Sequence, residues 1–156
     1  MNSSKPKISI IIPVYNTAEY ITRSVSSVIQ QTYTNTEIII VNDGSSDDSL
    51  AICMTLADKD DRVVVVNQSN LGVSAARNAG IGAASGDFIA FIDSDDTVSR
   101  HMLDLLYDSI RANNADVSMC KMRKLEPVLK WREVASVNKT ELLTGKEALL
   151  RLLYEK

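Results

Sequence analysis

Apolar residues in this chain come in short runs, and the runs alternate between two periods. Ile8–Val14 (ISIIIPV) is rich in β-branched residues and almost continuously apolar. That pattern belongs to a strand buried on both faces of a parallel sheet. Asn16 and Glu19 then stand in capping-box spacing, with Ile21, Val25, Val28 and Ile29 at helical spacing behind them. They predict a helix ending near Gln31–Thr34. Glu37–Val41 reads as a second buried strand, bounded by Asn42-Asp43-Gly44. Ser46 or Asp47 is placed to cap a second helix, with Leu50, Cys53, Met54 and Ala57 as its inward stripe. Arg62–Val66 predicts a third strand, and the glycine- and alanine-rich stretch from Gly72 to Ala83 a helix. Asp87–Ile92 predicts a fourth strand. Ser99 can cap a helix that turns Leu103, Leu106, Tyr107 and Ile110 to one face, and Asp116–Met119 follows as a fifth strand.

Strand and helix thus alternate with short connections. The fold class this predicts is α/β: a doubly wound, mostly parallel sheet with helices on both faces and right-handed crossovers. The alternation fades near residue 120. Residues 121–139 are charged and without period, and they carry Pro127 and the only tryptophan, Trp131. Thr144 and Glu147 then make another capping-box pair, followed by Leu149, Leu152 and Leu153 at helical spacing. The expected division is an α/β domain over 1–120, then an irregular segment plus terminal helix over 121–156.

Composition narrows the function classes. Seventeen basic and twenty acidic residues give a net charge of −3. Nucleic acid and anionic membrane are therefore not expected partners, since both select a basic excess. No apolar run approaches the roughly 20 residues of a membrane span. Cys53 and Cys120 have no metal-like spacing. They read as reduced thiols in or near the core, in keeping with a reducing compartment. The expected location is the cytoplasm, extending at most to the inner membrane face. Oligomeric state has no signature in the sequence.

Ligands of open α/β sheets bind outside the carboxyl ends of the strands. The four predicted ends read Pro13-Val14-Tyr15-Asn16, Asn42-Asp43-Gly44-Ser45, Asn70-Leu71-Gly72 and Asp93-Ser94-Asp95-Asp96. Three carboxylates within the last four residues repel one another. A hard cation such as Mg2+ or Mn2+, which takes oxygen ligands, would relieve them. A solvated acidic turn capping the next helix is the plainer alternative. Asp43 is either part of an ordinary strand-to-helix loop or an acceptor for a ligand's base or sugar. Gly80, Gly82 and Gly86 imitate a dinucleotide fingerprint. The last spacing is one residue too long and the run follows a helix, so these glycines are expected to serve close packing and the turn into strand four. His101 is the only histidine and no G-x-S-x-G elbow exists, so no serine triad is expected.

With these ends in view, the chain resembles the family 2 glycosyltransferases, which have the GT-A, Rossmann-like fold. The likeness rests on Ile10–Asn16, Ile40–Asp47, Asn70–Gly80 and Phe91–Asp96, four motifs in order, and covers about residues 6–115 closely. It implies a nucleotide-sugar site. Pro13, Val14 and Tyr15 would line the nucleoside pocket, with Asn16 beside them, and Asp43 would read the base. Asn70, Gly72 and Arg77 would shape the donor loop. Asp93 and Ser94 would meet the donor, and Asp95 with Asp93 would bind Mg2+ or Mn2+ at the diphosphate, with Asp96 assisting. The implied activity is hexosyl transfer from a nucleotide-diphosphate sugar, commonly a UDP-sugar, to the hydroxyl of a saccharide or lipid-linked acceptor. It would proceed with inversion and metal assistance, in cell-surface polysaccharide synthesis.

One departure matters. Family members usually carry the catalytic base as an Asp well downstream of the Asp-x-Asp, often in a Glu-Asp pair. No such pair occurs here, so the base is not identifiable. The expectation is a truncated chain, the donor half of a longer enzyme, with a non-catalytic nucleotide-sugar binding fragment as the alternative. A phosphoacceptor domain lacks its acidic pair after strand one, and a nucleotidyltransferase lacks its glycine-rich basic loop there.

Overall fold

A computed structural model describes residues 5–120, 141–144 and 147. Its elements run β1 (Ile8–Val14), α1 (Ile21–Ile29), β2 (Thr36–Asp43), α2 (Ser49–Ala57), β3 (Val63–Gln68), α3 (Val73–Ala83), β4 (Phe88–Phe91) and α4 (Met102–Asn113). The chain divides into two compact units, Met1–Leu103 and Asp104–Lys156. All four strands belong to the first.

The strands form one parallel sheet in the order β3-β2-β1-β4. Every residue of β1 is buried, as is all of β2 except the half-buried Glu37. This is why β1 and the middle of β2 read as nearly continuous apolar runs. Going from β1 to β3 the chain steps one way across the sheet, then returns past β1 to β4. Right-handed crossovers therefore put α1 and α2 on one face and α3 on the other. α3 presses Ala76 onto Ile39 and Val41, and Val66, Ala79 and Ala84 pack around them. The strand order reverses at β1, between β2 and β4, and this reversal opens the crevice in which such sheets bind ligands.

Four expectations need correction. α1 begins at Ile21, with Tyr20 as its N-cap and no capping side chain. Asn16 makes no capping box, because its φ of 51° turns its amide toward the loop after β2. α2 buries Ser49, Cys53 and Leu56, while Met54 is half exposed. Its apolar residues surround the helix, so the expected stripe of Leu50, Cys53, Met54 and Ala57 does not single out the inward face. Residues 116–119 form no strand, and Val117 and Met119 are exposed. A strand needs a paired neighbour, and none meets this segment among the described residues. Cys53 is buried, and that burial pushes its thiol up to about 11, but Cys120 is exposed.

The Thr144–Glu147 capping box does form. The Thr144 backbone N–H donates to Glu147 Oε2 at 2.8 Å, and the Glu147 N–H donates back to Thr144 Oγ1 at 3.3 Å. Trp131 and Leu149–Leu153 lie outside the described residues.

Candidate active site

An open cleft of about 380 Å³ lies at the carboxyl ends of β1, β2 and β4 and the start of α3. Its lining includes Pro13, Val14, Tyr15, Asp43, Asn70, Gly72, Arg77, Asp93, Ser94 and Asp95. Residues from four distant stretches of sequence are thus brought to one place. Asn16, the remaining candidate, does not line it. Its Oδ1 instead accepts from the Ser46 N–H at 2.8 Å, and its own N–H donates to Ser45 Oγ at 3.1 Å. With the Ala18 N–H donating to Asp47 Oδ2 at 3.1 Å, these bonds tie the loop after β1 to the loop after β2.

Asp43 ends β2 and is only 3% exposed. Its Oδ1 accepts from the Leu71 N–H at 2.9 Å and from Gln68 Nε2 at 2.8 Å, and its Oδ2 accepts from the Gly72 N–H at 2.9 Å. The Leu71 bond first, then those from Gln68 and Gly72, hold its carboxyl below the usual carboxylate range against the upward push of burial. An ionised carboxylate can accept about four hydrogen bonds. Asp43 therefore spends most of its capacity holding the 68–72 loop against the cleft and keeps one acceptor position on Oδ2. Gly44 makes this approach possible. Its φ is +67°, and a Cβ there would sit 2.6 Å from the Asn70 nitrogen.

Arg77, on α3, donates from Nη2 to Asp93 Oδ1 at 2.8 Å, while its buried Nε has no partner. The Asp93 side chain is 50% exposed, so the pair contributes at most about 1 kcal/mol and is easily exchanged for a ligand. The Asp96 carboxyl is pushed up by its burial and by the charges of Asp95 and Asp93, the signature of accumulated negative charge. Among the described residues no group of three or more His, Cys, Asp or Glu side chains is arranged to hold a metal ion. Asp93 and Asp95 are two oxygen donors on an open cleft. That set suits Mg2+ or Mn2+ of the kind completed by water and ligand oxygens.

The cleft also contains Thr17, Val73 and Ala76, which sequence reasoning missed. The Thr17 N–H donates to Ser49 Oγ at 2.9 Å, and its buried Oγ1 has no partner. Val73 and Ala76 share one turn of α3 with Arg77, so helical spacing from Arg77 was the signal that could have found them. His101 lies away from the cleft lining, with Nδ1 3.2 Å from Thr32 Oγ1.

The sequence profile described as glycosyl transferase family 2 matches residues 9–154. The chain belongs to that family. It is 42% identical over 113 residues to the glycosyltransferase GlyA of Streptococcus pneumoniae serotype 4, covering 72% of this chain and 16% of that relative. It is 44% identical over 111 residues to GlyG of the same organism, covering 70% of this chain and 37% of GlyG. Among solved structures it is similar to S. aureus TarS 1-349 in complex with UDP, with a TM-score of 0.70 and 30% identity. That match covers 81% of this chain and 38% of the TarS chain. A complex of TarS 1-349 with UDP-GlcNAc matches with a TM-score of 0.71. The family 2 chain therefore has the GT-A fold and spans less than half the length of these relatives. No helix among the described residues is long and apolar enough to cross a membrane.

Proposed function

We propose that this family 2 chain is the donor-binding part of an inverting, metal-assisted hexosyltransferase. It takes its sugar from a nucleoside-diphosphate donor, a UDP-sugar, and passes it to a hydroxyl of a saccharide or lipid-linked acceptor in cell-surface polysaccharide synthesis. The single observation that carries this is the convergence of four strand-end motifs on one cleft. The UDP and UDP-GlcNAc complexes of the TarS relative support the choice of UDP. On this reading residues 1–120 are the donor domain and 121–156 begin the acceptor-side region.

Each residue's task follows from its chemistry. Tyr15 is 50% exposed, so its ring is open for a nucleobase to stack on. Asp43 keeps the 68–72 loop in place, and its remaining acceptor position is available to a base N–H. Arg77 supplies a guanidinium for the diphosphate, with an unsatisfied Nε to orient it. Asp95 and Asp93 would hold Mg2+ or Mn2+, which when bound neutralises charge on the diphosphate leaving group. The acceptor hydroxyl must lose a proton to a base as it attacks. Among the described residues, those that line the cleft fall between Pro13 and Asp95, and the sequence beyond offers no Glu-Asp pair. That observation favours a second reading, a non-catalytic nucleotide-sugar binding fragment.

Calorimetric titration of UDP with and without Mn2+ tests the first reading. Metal-dependent binding is expected, weakened at least tenfold, or about 1.4 kcal/mol, by Asp95→Ala. Failure of UDP to bind the folded chain would overturn the choice of UDP, and parallel titrations of CDP, GDP and dTDP would show whether any nucleotide binds. Hydrolysis or transfer of a UDP-sugar by this chain would exclude the second reading.

A further inference from the structure

Between β4 and α4, residues 92–101 carry no helix or strand, yet this stretch contains Asp93, Asp95 and Asp96. Its backbone is held by side chains of α1 and the residues just after it. Ser24 Oγ donates to the Asp93 carbonyl at 3.3 Å, the same oxygen that closes the turn with the Asp96 N–H at 3.1 Å. Ser27 Oγ accepts from the Val98 N–H at 3.1 Å. Gln31, 5% exposed, donates from Nε2 to the Ser99 carbonyl at 2.7 Å and to the Ser27 carbonyl at 3.3 Å, while its Oε1 accepts from the Leu103 N–H at 3.0 Å. The amide fits only this way round, because two carbonyls meet one end and an N–H meets the other. The Thr32 N–H completes the row by donating to the Arg100 carbonyl at 3.0 Å.

Ser24 and Ser27 on α1 and Gln31, two residues past its end, stand three and four residues apart, so one line along the helix and its exit carries them all. Polar residues on the buried side of a helix are costly unless their bonds are made. Here those bonds reach the acidic stretch or the start of α4 just after it, or brace the helix that reaches them. A catalytic or binding turn must be held to about half an ångström to act, and loops achieve this only through a supporting shell. We propose that this polar row, running along α1 and into the residues just after it, is the positioning device for the acidic turn, with Gln31 as its central positioning residue. It fixes where Asp93 and Asp95 stand before a cation and diphosphate arrive. The inference rests on the donor reading above and adds the element that prepares the site.

The test uses the whole chain carrying Gln31→Met, which keeps the volume and removes both hydrogen-bonding ends. Hydrogen exchange is followed at Asp96 and Val98, whose own acceptors are untouched by the substitution, and UDP is titrated with and without Mn2+. The expected result is exchange at least tenfold faster at these two amides, with β1 and β2 unchanged. UDP affinity in Mn2+ should fall at least fivefold, with metal-free affinity held within twofold. A merely structural role would lower both affinities together or speed exchange throughout the sheet, and either result overturns the inference, as does unchanged exchange at Asp96 and Val98. Ser27→Ala removes the acceptor of the Val98 N–H and the donor to the Ser24 carbonyl, so it is read at Asp96 and in the UDP titrations alone, where it should act in the same direction by less, and it serves if Gln31→Met fails to fold. Asp95→Ala separates the two claims. If it weakens Mn2+-dependent binding and Gln31→Met does not, the positioning role falls alone. If wild-type chain shows no metal-dependent binding, the donor reading falls and the proposed preparation of a cation site falls with it.

Discussion

At the amino end of the sheet Glu37 accepts from Lys7 Nζ at 2.7 Å, from Ser9 Oγ, and from the Ser85 N–H at 2.6 Å. At the carboxyl end Asp95 faces an open cleft, with Asp93 paired to a half-exposed Arg77. Both ends gather charge where the strands stop, but only one of them finishes the job internally. Glu37's acceptors are filled by groups from β1, from the segment before it and from the turn before β4, so this end fastens the sheet. The carboxylates at the other end have been left partly unsatisfied, which costs stability and leaves bonding capacity for a ligand. The difference shows how one parallel sheet separates its fastening from its chemistry.

The largest effect should come from undoing the closed end with acid. Burial pushes the Glu37 carboxyl upward, but hydrogen bonds from Lys7, Ser9 and Ser85 overcome it and hold it at about 2, against an ordinary 4.5. A group depressed in the folded state contributes stability in full above its unfolded pKa and loses it as pH falls. That contribution is about 3 kcal/mol, present above pH 4.5 and lost on going down toward pH 2. Urea unfolding of wild-type and Glu37→Gln chains at pH 7 and pH 3 measures it. The wild type should lose much of its advantage at pH 3, and an equal difference between the two chains at both pH values would show that the cluster contributes nothing through charge.

Gly86 breaks the same end sterically. A Cβ there would lie 2.6 Å from Ser9 Oγ and 2.8 Å from the Lys7 carbonyl oxygen and the Ser9 nitrogen. Two of these atoms are backbone of β1 or its entry, so the strands themselves must shift. Gly86→Ala should cost about 1–3 kcal/mol, read as a lower urea midpoint with the same slope. An unchanged midpoint would mean the amino end is not closed as tightly as Glu37's bonds imply.

The open end should respond in the opposite sense. Asp95→Ala removes a like charge beside Asp93 and Asp96, so the melting temperature should hold or rise, even as Mn2+-dependent UDP affinity falls at least tenfold. A melting temperature that falls with affinity would make Asp95 part of the fastening and erase the contrast between the ends.

Sequence legibility follows the same division. β1 was readable to the residue because both its faces are buried and its run is almost continuously apolar. The cleft residues at the carboxyl ends were legible because four motifs sat at four predicted strand ends, where sheet topology must bring them together. What escaped reading depends on contacts across loops. Asn16 looked like a helix cap, but its side chain is spent on Ser46. Thr17 enters the cleft because its N–H is held by Ser49, a pairing no local pattern encodes. Nothing in sequence reveals that residues 93–103 lie against the row from Ser24 to Thr32. Asp43 was legible as a residue at the end of its strand, where it lines the cleft, but not as the anchor of the 68–72 loop.

The smallest predicted effect tests the reading of the glycine run. Gly80 and Gly86 are there for close approach, and a Cβ on Gly80 would stand 2.4 Å from Ile11 Cγ2. Gly82 shares the run but meets nothing within 4 Å, has no left-handed backbone and lies exposed on α3. Alanine there loses less chain entropy on folding without meeting a neighbour. Gly82→Ala should therefore stabilise the chain by roughly 0.4–1 kcal/mol, seen as a small rise in the urea midpoint. UDP affinity should not change, because Gly82 lies outside the cleft lining. A loss of stability would mean that α3 needs glycine at its end for a reason other than packing. The contrast between a fastened amino end and an open carboxyl end would then have to include the helix that spans them.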